Sequence, residues 1–268
     1  MIVWKGKWNN LWFLPLTLSH RANGFAAVVR PRNGRVAALT VRSSHSSTDA
    51  SHNPWVSLDT CTLSGGARYG LFISAVVPRP VAVITTTSRD GIINCAPFSY
   101  TSLSAHDPPI VTHGLCMTGG QKKHTLLNIE DTGEWVYNIL TTNYLEEANN
   151  CAATVPFETD ETQKFGLDTI PCDDVAAPRL AQAAVSMECK LYDMKEIFND
   201  QGQHTTTIVM GRVVKVHIHR DVMKEGQDMD SAPLVDLLKL QAVGRAGDVT
   251  YWPNGALQNN TLPLTRPK

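Results

Sequence analysis

The sequence lacks the signatures of the commonest nucleotide, hydrolase and metal chemistries. No GxGxxG follows a strand-like run, and TGGQKKHT lacks the spacing of a Walker loop, which argues against a Rossmann dinucleotide domain and a P-loop NTPase. There is no GxSxG elbow and no HExxH, so the usual serine hydrolases and zinc proteases are excluded. The six cysteines, Cys61, Cys95, Cys116, Cys151, Cys172 and Cys189, form no CxxC pair. They read as scattered reduced thiols of an intracellular protein, and no metal site is expected. No apolar run approaches the roughly 18 to 20 residues of a membrane span. Acids are missing altogether from residues 1–48.

That last absence polarises the charge. Lys5, Lys7, Arg21, Arg30, Arg32, Arg35 and Arg42 take seven of the 24 bases, leaving 17 against 25 acids in the remainder, a net of −8. Such a surface repels phosphate backbones, so nucleic acid is not an expected partner. Residues 1–56 have no sustained periodicity and run into SSHSSTDASHN, which reads as a disordered or targeting leader. Its Arg-bearing, Ser-rich composition fits a mitochondrial presequence, while LWFLPLTL weakly imitates a secretory core, so the expected location is cytoplasmic or mitochondrial. A folded domain is expected over 57–253, with a tail over 254–268.

What is present is mostly strand. VAVITTTS, INCAPFSY, PPIVTHGLCM, GEWVYNIL, AAVSMECKLYDMKEIF and TTTIVMGRVVKVHIH are rich in β-branched and aromatic residues. Arg89-Asp90-Gly91 marks a hairpin between the first two, and Asn199 to Gly202 a turn between the last two. Helices are expected in the approach to PRP, near Lys123 to Asp131, near Tyr144 to Ala153 and in DLLKLQAV. Antiparallel strands with sparse helices predict a mainly β protein of barrel type.

Three stretches bear on chemistry. INCAPFSY puts small and hydroxylated residues where a packing strand should be greasy, and Pro97 marks the point at which ladder pairing should stop. Such a strand suits either the floor of a flat polar ligand or a polar edge. TGGQKKHTLLNIEDTG sets two lysines and a threonine before a short helix, where free N–H groups and the dipole favour a phosphate; a solvated Lys-rich loop has the same composition. In VVKVHIH, Lys215, His217 and His219 share a face, with Val214, Val216 and Ile218 opposite. They read as the solvated face of an amphipathic strand rather than half a metal site. His106, His113 and His124 read as loop or partly buried histidines.

PRPVAVITTTSRDGIINCAPFSY, the DPP at Asp107, KHTLLNI around Lys123, TGEWVYNI, Glu188-Cys189-Lys190, GRVV at Gly211 and VGRAGDVTY near Arg245 occur in an order that resembles the flavin reductase-like, FMN-binding split-barrel family. The resemblance covers about Leu63 to Trp252. It implies a six-stranded antiparallel split β-barrel of Greek-key type, a homodimer, and bound FMN, or FAD in some members. Carried over, it places the flavin ring by Arg79, Pro80, Val83, Asn94, Ala96, Pro97 and Phe98, and phosphate and ribityl contacts at Ser99, Ser102, Lys123 and Thr125. For Ser99 and Ser102 to serve one ligand, regular strand geometry must break between them. One departure is visible: the family usually reads Lys-Asp-Thr where this chain has Lys123-His124-Thr125.

The resemblance implies hydride transfer from NADH or NADPH to flavin, with no catalytic side chain assigned and a flavin-dependent monooxygenase or other acceptor downstream. The alternatives are a non-catalytic FMN-binding electron-transfer flavoprotein and a related pyridoxamine-phosphate-oxidase-like barrel.

Overall fold

A computed structural model describes residues 54–226, 233–247 and 250–252. The chain divides into two units, Met1–Asp59 and Thr60–Lys268. Of the first, only 54–59 are described, as exposed chain without helix or strand. The readings of the leader and of the 254–268 tail therefore lie outside the described residues.

In chain order the second unit forms α1 (Gly65–Ala75), β1 (Arg79–Pro80), β2 (Ala82–Thr87), β3 (Ile93–Phe98), β4 (Thr101–His106), β5 (Pro109–Cys116), α2 (His124–Thr132) and β6 (Glu134–Ile139). Then follow α3 (Leu145–Asn150), α4 (Glu161–Phe165), β7 (Thr169–Ile170), β8 (Arg179–Leu180), β9 (Val185–Phe198), β10 (His204–Ile218), α5 (Leu237–Leu240), β11 (Gly244–Arg245) and β12 (Tyr251–Trp252). Local chemistry sets the ends. Ser64 caps α1 by accepting the Ala67 N–H, and Gly133 closes α2 in the left-handed region. Gly91, also left-handed, turns β2 into β3.

Seven strands pair antiparallel in the order β3-β2-β6-β9-β10-β5-β4. The edges, β3 and β4, are consecutive in the chain and joined only by Ser99 and Tyr100. Three Cα steps span at most about 11 Å, so the two edges must lie together and the sheet curls into a barrel split at that corner. Six strands were expected. The seventh is β4, TSLSAH, whose polar residues and largely exposed pattern give no apolar alternation to read.

Two cores lie on opposite faces of the wall. Ala82, Ile84, Phe98, Val111, Leu115, Trp135 and Val209 pack with Leu126 and Ile129 of α2. Val83, Cys95, Leu140 and Tyr144 pack on the other face with Ala148 and Cys151. Pro97 does not stop the ladder: it pairs with Val83, and pairing runs on to Phe98. Cys95 sends its N–H outward to Glu161. Pro97 has the same parity, so its missing N–H faces the open edge and no ladder bond is lost.

His113 shows how closely the inner core is fitted. It is 1% exposed and sits between Thr101 Oγ1, 2.9 Å from Nδ1, and Trp135 Nε1, 3.2 Å from Nε2. Indole N–H only donates, so Nε2 accepts and the ring proton is on Nδ1. Burial lowers the His113 pKa to about 3, so the ring stays neutral.

Candidate functional site

The β3–β4 corner gathers several of the expected residues. β3 ends at Phe98 and the chain bends at Ser99 and Tyr100 before β4 begins at Thr101. This is the break that a shared role for Ser99 and Ser102 demands. Ser102 is exposed on β4 and its hydroxyl donates to the Leu103 carbonyl at 3.1 Å, while Ser99 is half-buried in the bend. β1, carrying Arg79 and the exposed Pro80, packs against β4.

Arg79 is 8% exposed, and its guanidinium donates to the Ile73 and Val76 carbonyls at 2.7 and 2.6 Å and to Ala246 O at 3.3 Å. It therefore closes the C-terminus of α1 and ties it to the segment after β11, which is what the VGRAGDVTY motif supplies. Its Nε has no partner among the described residues. A buried N–H donor left in this state costs about 1 to 3 kcal/mol unless something accepts from it. Burial raises the pKa of the neighbouring Tyr100 hydroxyl; Cys116 and Tyr69 add to the rise and Arg79 opposes it. Sequence reasoning passed over Tyr100 because it sits in a bend with no pattern.

The KKHT segment is built differently from its sequence reading. Gly119 and Gly120, both left-handed at φ 59° and 78°, form a tight turn closed by paired backbone bonds between Thr118 and Gln121. The glycines serve that turn. Lys122 is spent on Glu130 at 2.7 Å. Lys123, the N-cap of α2, has an ammonium without a partner among the described residues, and the N–H groups of His124 and Thr125 make no hydrogen bond there. One cation and two free donors therefore sit together at a helix N-terminus, the arrangement that favours an anion. His124 packs edge-on against Phe157, ring centroids 5.0 Å apart, which gives the loop an anchor in place of the family's acid.

A buried network joins this terminus to the floor strand. Asn94 Nδ2 donates to Thr125 Oγ1 at 2.8 Å and to Thr86 Oγ1 at 3.4 Å, and Asn128 Nδ2 donates to the same Thr86 oxygen at 2.9 Å. The structure thus brings Asn94 and Thr125 together, at 7% and 1% exposure, as a weld between β2, β3 and α2. Ala96 and Phe98 lie on the same inner face. Val83 points the other way and is wholly buried, so its side chain offers no surface to a ligand.

Glu161, which sequence reasoning did not single out, takes the Cys95 N–H at 2.7 Å and so satisfies an open edge donor of the floor strand. Burial raises its pKa to about 7, with the Cys95 N–H opposing, Asp160 adding and Lys164 opposing. The fold therefore holds a proton that the unfolded chain releases near 4.5. Stability attributable to this group falls as pH rises between those values and levels off above. Glu161→Gln should flatten the profile, its melting temperature gaining on the wild type from pH 5 to pH 8. Parallel profiles in a thermal-shift series would contradict this.

The VVKVHIH face is a correction. Lys215 and His217 are half-buried, with Lys215 Nζ 3.0 Å from Asp173 and 3.1 Å from Asp174 and His217 Nε2 2.6 Å from Glu188. Val214 and Val216 are exposed, at 39% and 48%, whereas His219 is exposed as its sequence reading has it. The polar side of β10 faces in because Glu188, on β9, and the 173–174 turn give it partners there.

An antiparallel split barrel, with the start of α2 hydrogen-bonded to the open-edge strand β3, defines a class of mainly β barrel proteins. Within that class the chain belongs to the flavin reductase like domain family, whose profile matches residues 74–238. An uncharacterized protein of Halalkalibacterium halodurans is 30% identical over 213 residues, 78% of this chain and 96% of its own length. Among solved structures, nitrilotriacetate monooxygenase component B from Bacillus cereus matches with TM-score 0.69 at 25% identity, covering 75% of this chain and 96% of its own. A flavin reductase with a split barrel domain from Shewanella frigidimarina matches in fold, with TM-score 0.63 at 20% identity, covering 76% and 96%. Membership makes this a flavin-related redox protein. Among the described residues no helix is long and apolar enough to cross a membrane.

Proposed function

We propose that this chain is an FMN-binding oxidoreductase that passes hydride from NADH or NADPH to flavin. The observation that carries the reading is that Lys123, unpaired among the described residues, caps the helix whose first N–H groups, His124 and Thr125, are free, a receptor for the phosphate that distinguishes FMN from riboflavin. The orphaned Arg79 Nε supports it, as a buried donor at the β3–β4 corner that a bound acceptor would satisfy. When bound, the flavin supplies the hydride chemistry. The chain's own work is to hold and orient: Lys123 fixes the phosphate, the Asn94–Thr125 weld sets the distance from phosphate to floor, and Ser99 and Ser102 offer hydroxyls to the ribityl chain. Arg79 is committed to carbonyls, so its guanidinium contributes a fixed positive field at the corner rather than a mobile cation.

We also propose that two copies pair. Tyr69 and Phe72 on α1, Val76 just after it and Leu103 on β4 are 54%, 50%, 59% and 70% exposed, more apolar surface than a lone domain needs to leave in water. A reduced flavin formed here would serve a separate acceptor, such as a flavin-dependent monooxygenase; the Bacillus cereus neighbour is itself component B of a monooxygenase.

Steady-state oxidation of NADH and NADPH, with and without added FMN, tests the reading. FMN-dependent turnover with at least one nicotinamide is expected. Flavin binding without turnover would assign the chain instead to electron carriers.

A further inference from the structure

Away from the β3–β4 corner, the segment before β8 and strands β9 and β10 bring three metal-ligating groups to one point. Cys172 Sγ, a Glu188 carboxylate oxygen and a His217 ring nitrogen all lie within 4.8 Å of one another. Glu188 and His217 share a face of the β9–β10 ladder, where Glu188 is opposite Lys215 and His217 opposite Ser186. Cys172 arrives from a loop on another part of the chain, so no linear spacing announces the set.

We propose that Cys172, Glu188 and His217 bind one divalent ion of the zinc type, with water in the fourth position. The donor set selects the class. One thiolate, one imidazole and one carboxylate suit zinc, whereas magnesium and calcium require oxygen alone. The geometry is close to what such an ion needs: bonds of about 2.0 to 2.3 Å in a tetrahedron put ligand atoms roughly 3.3 to 3.7 Å apart. The 2.6 Å contact between His217 Nε2 and Glu188 Oε1 has to open by roughly 0.7 Å, the ion taking the place of that hydrogen bond.

The carboxylate is already oriented for this. Glu188 is wholly buried, with the Asp174 N–H on one oxygen at 2.7 Å and the Asp173 N–H on the other at 3.1 Å. Such outer contacts fix a ligand's direction. Asp173, Asp174 and Glu188 against Lys215 and Arg179 leave the neighbourhood negative by one charge, which draws a cation. The His217 side chain is 21% exposed, and that opening provides the entry path.

The ion would clamp the loop that covers this wall. Val175 and Ala177 of that loop pack on Val136, and the Pro178 carbonyl accepts from Thr85 Oγ1 at 2.5 Å. Binding to the folded state alone raises stability by mass action.

The test uses the full chain, freed of metal with a chelator and titrated with cobalt(II), then zinc(II). One equivalent of cobalt should give a sulfur-to-cobalt charge-transfer band that zinc abolishes, and zinc should raise the melting temperature. Cys172→Ser should lose the band, and His217→Gln, which keeps a donor for Glu188, should weaken binding by more than the roughly 10- to 100-fold typical of an outer partner. His219→Ala should bind as the wild type does, since His219 instead accepts from Asp221 N at 3.3 Å. No charge-transfer band in the wild type, or the same band in Cys172→Ser, would overturn the site. Neither readout depends on flavin.

Discussion

Gly211→Ala should cost the fold about 3 kcal/mol. A Cβ built there would lie 2.1 Å from Trp135 Cζ2 and 2.6 Å from Cη2, distances that no real pair of carbons tolerates. The indole cannot retreat cheaply. It is wholly buried, packs in the inner core and donates to His113 Nε2. Overpacking of this kind typically costs 1 to 3 kcal/mol, and a clash with a ring locked on both sides belongs at the upper end. For a domain of this size that corresponds to a melting temperature lower by about 6 to 12 °C. Trp135→Phe removes the clashing atoms, so the double variant should lose less than the sum of the two single changes. Additive losses in thermal unfolding would show that the strain lies elsewhere.

Lys123→Ala should weaken FMN binding about ten- to a hundredfold, the loss of one charge-assisted phosphate contact of roughly 1.5 to 3 kcal/mol. Riboflavin, which has no phosphate, should bind the variant as it binds the wild type. Lys122→Ala supplies the control. Its ammonium is held by Glu130 at 2.7 Å, so its removal should cost FMN far less although the charge change is identical. Equal losses for FMN and riboflavin in a fluorescence titration would remove Lys123 from the phosphate site, and equal losses for the two lysine variants would reduce its role to general attraction.

Where chemistry is local, the sequence announced the fold. Asp90-Gly91 names its hairpin because glycine turns there without strain, and runs of β-branched and aromatic residues mark β2, β6 and β9, the first two buried on both faces. β4 escaped because TSLSAH is polar and mostly exposed; it is a strand only because β5 pairs with it. Part of the β10 face, from Val214 to His217, differs from its sequence reading for a related reason. Lys215 and His217 read as solvated until Glu188 and the 173–174 turn, distant in sequence, are known to meet them.

The candidate site divides along the same line. Lys123 at a helix start is legible from KKHT, but that the glycines before it belong to a turn and Lys122 to Glu130 is not. Asn94 stands out in the sequence as polar on a packing strand. That its partner is Thr125, joining β3 to the start of α2, is a tertiary fact.

The central claim, flavin reduction by a nicotinamide at this corner, is tested most directly by anaerobic mixing of the protein loaded with one equivalent of FMN against NADH and, separately, NADPH. The account predicts that the flavin absorbance bleaches with at least one of them, far faster than free FMN under the same conditions, and returns on admission of air. Protein-bound FMN that stays yellow with both nicotinamides would contradict it.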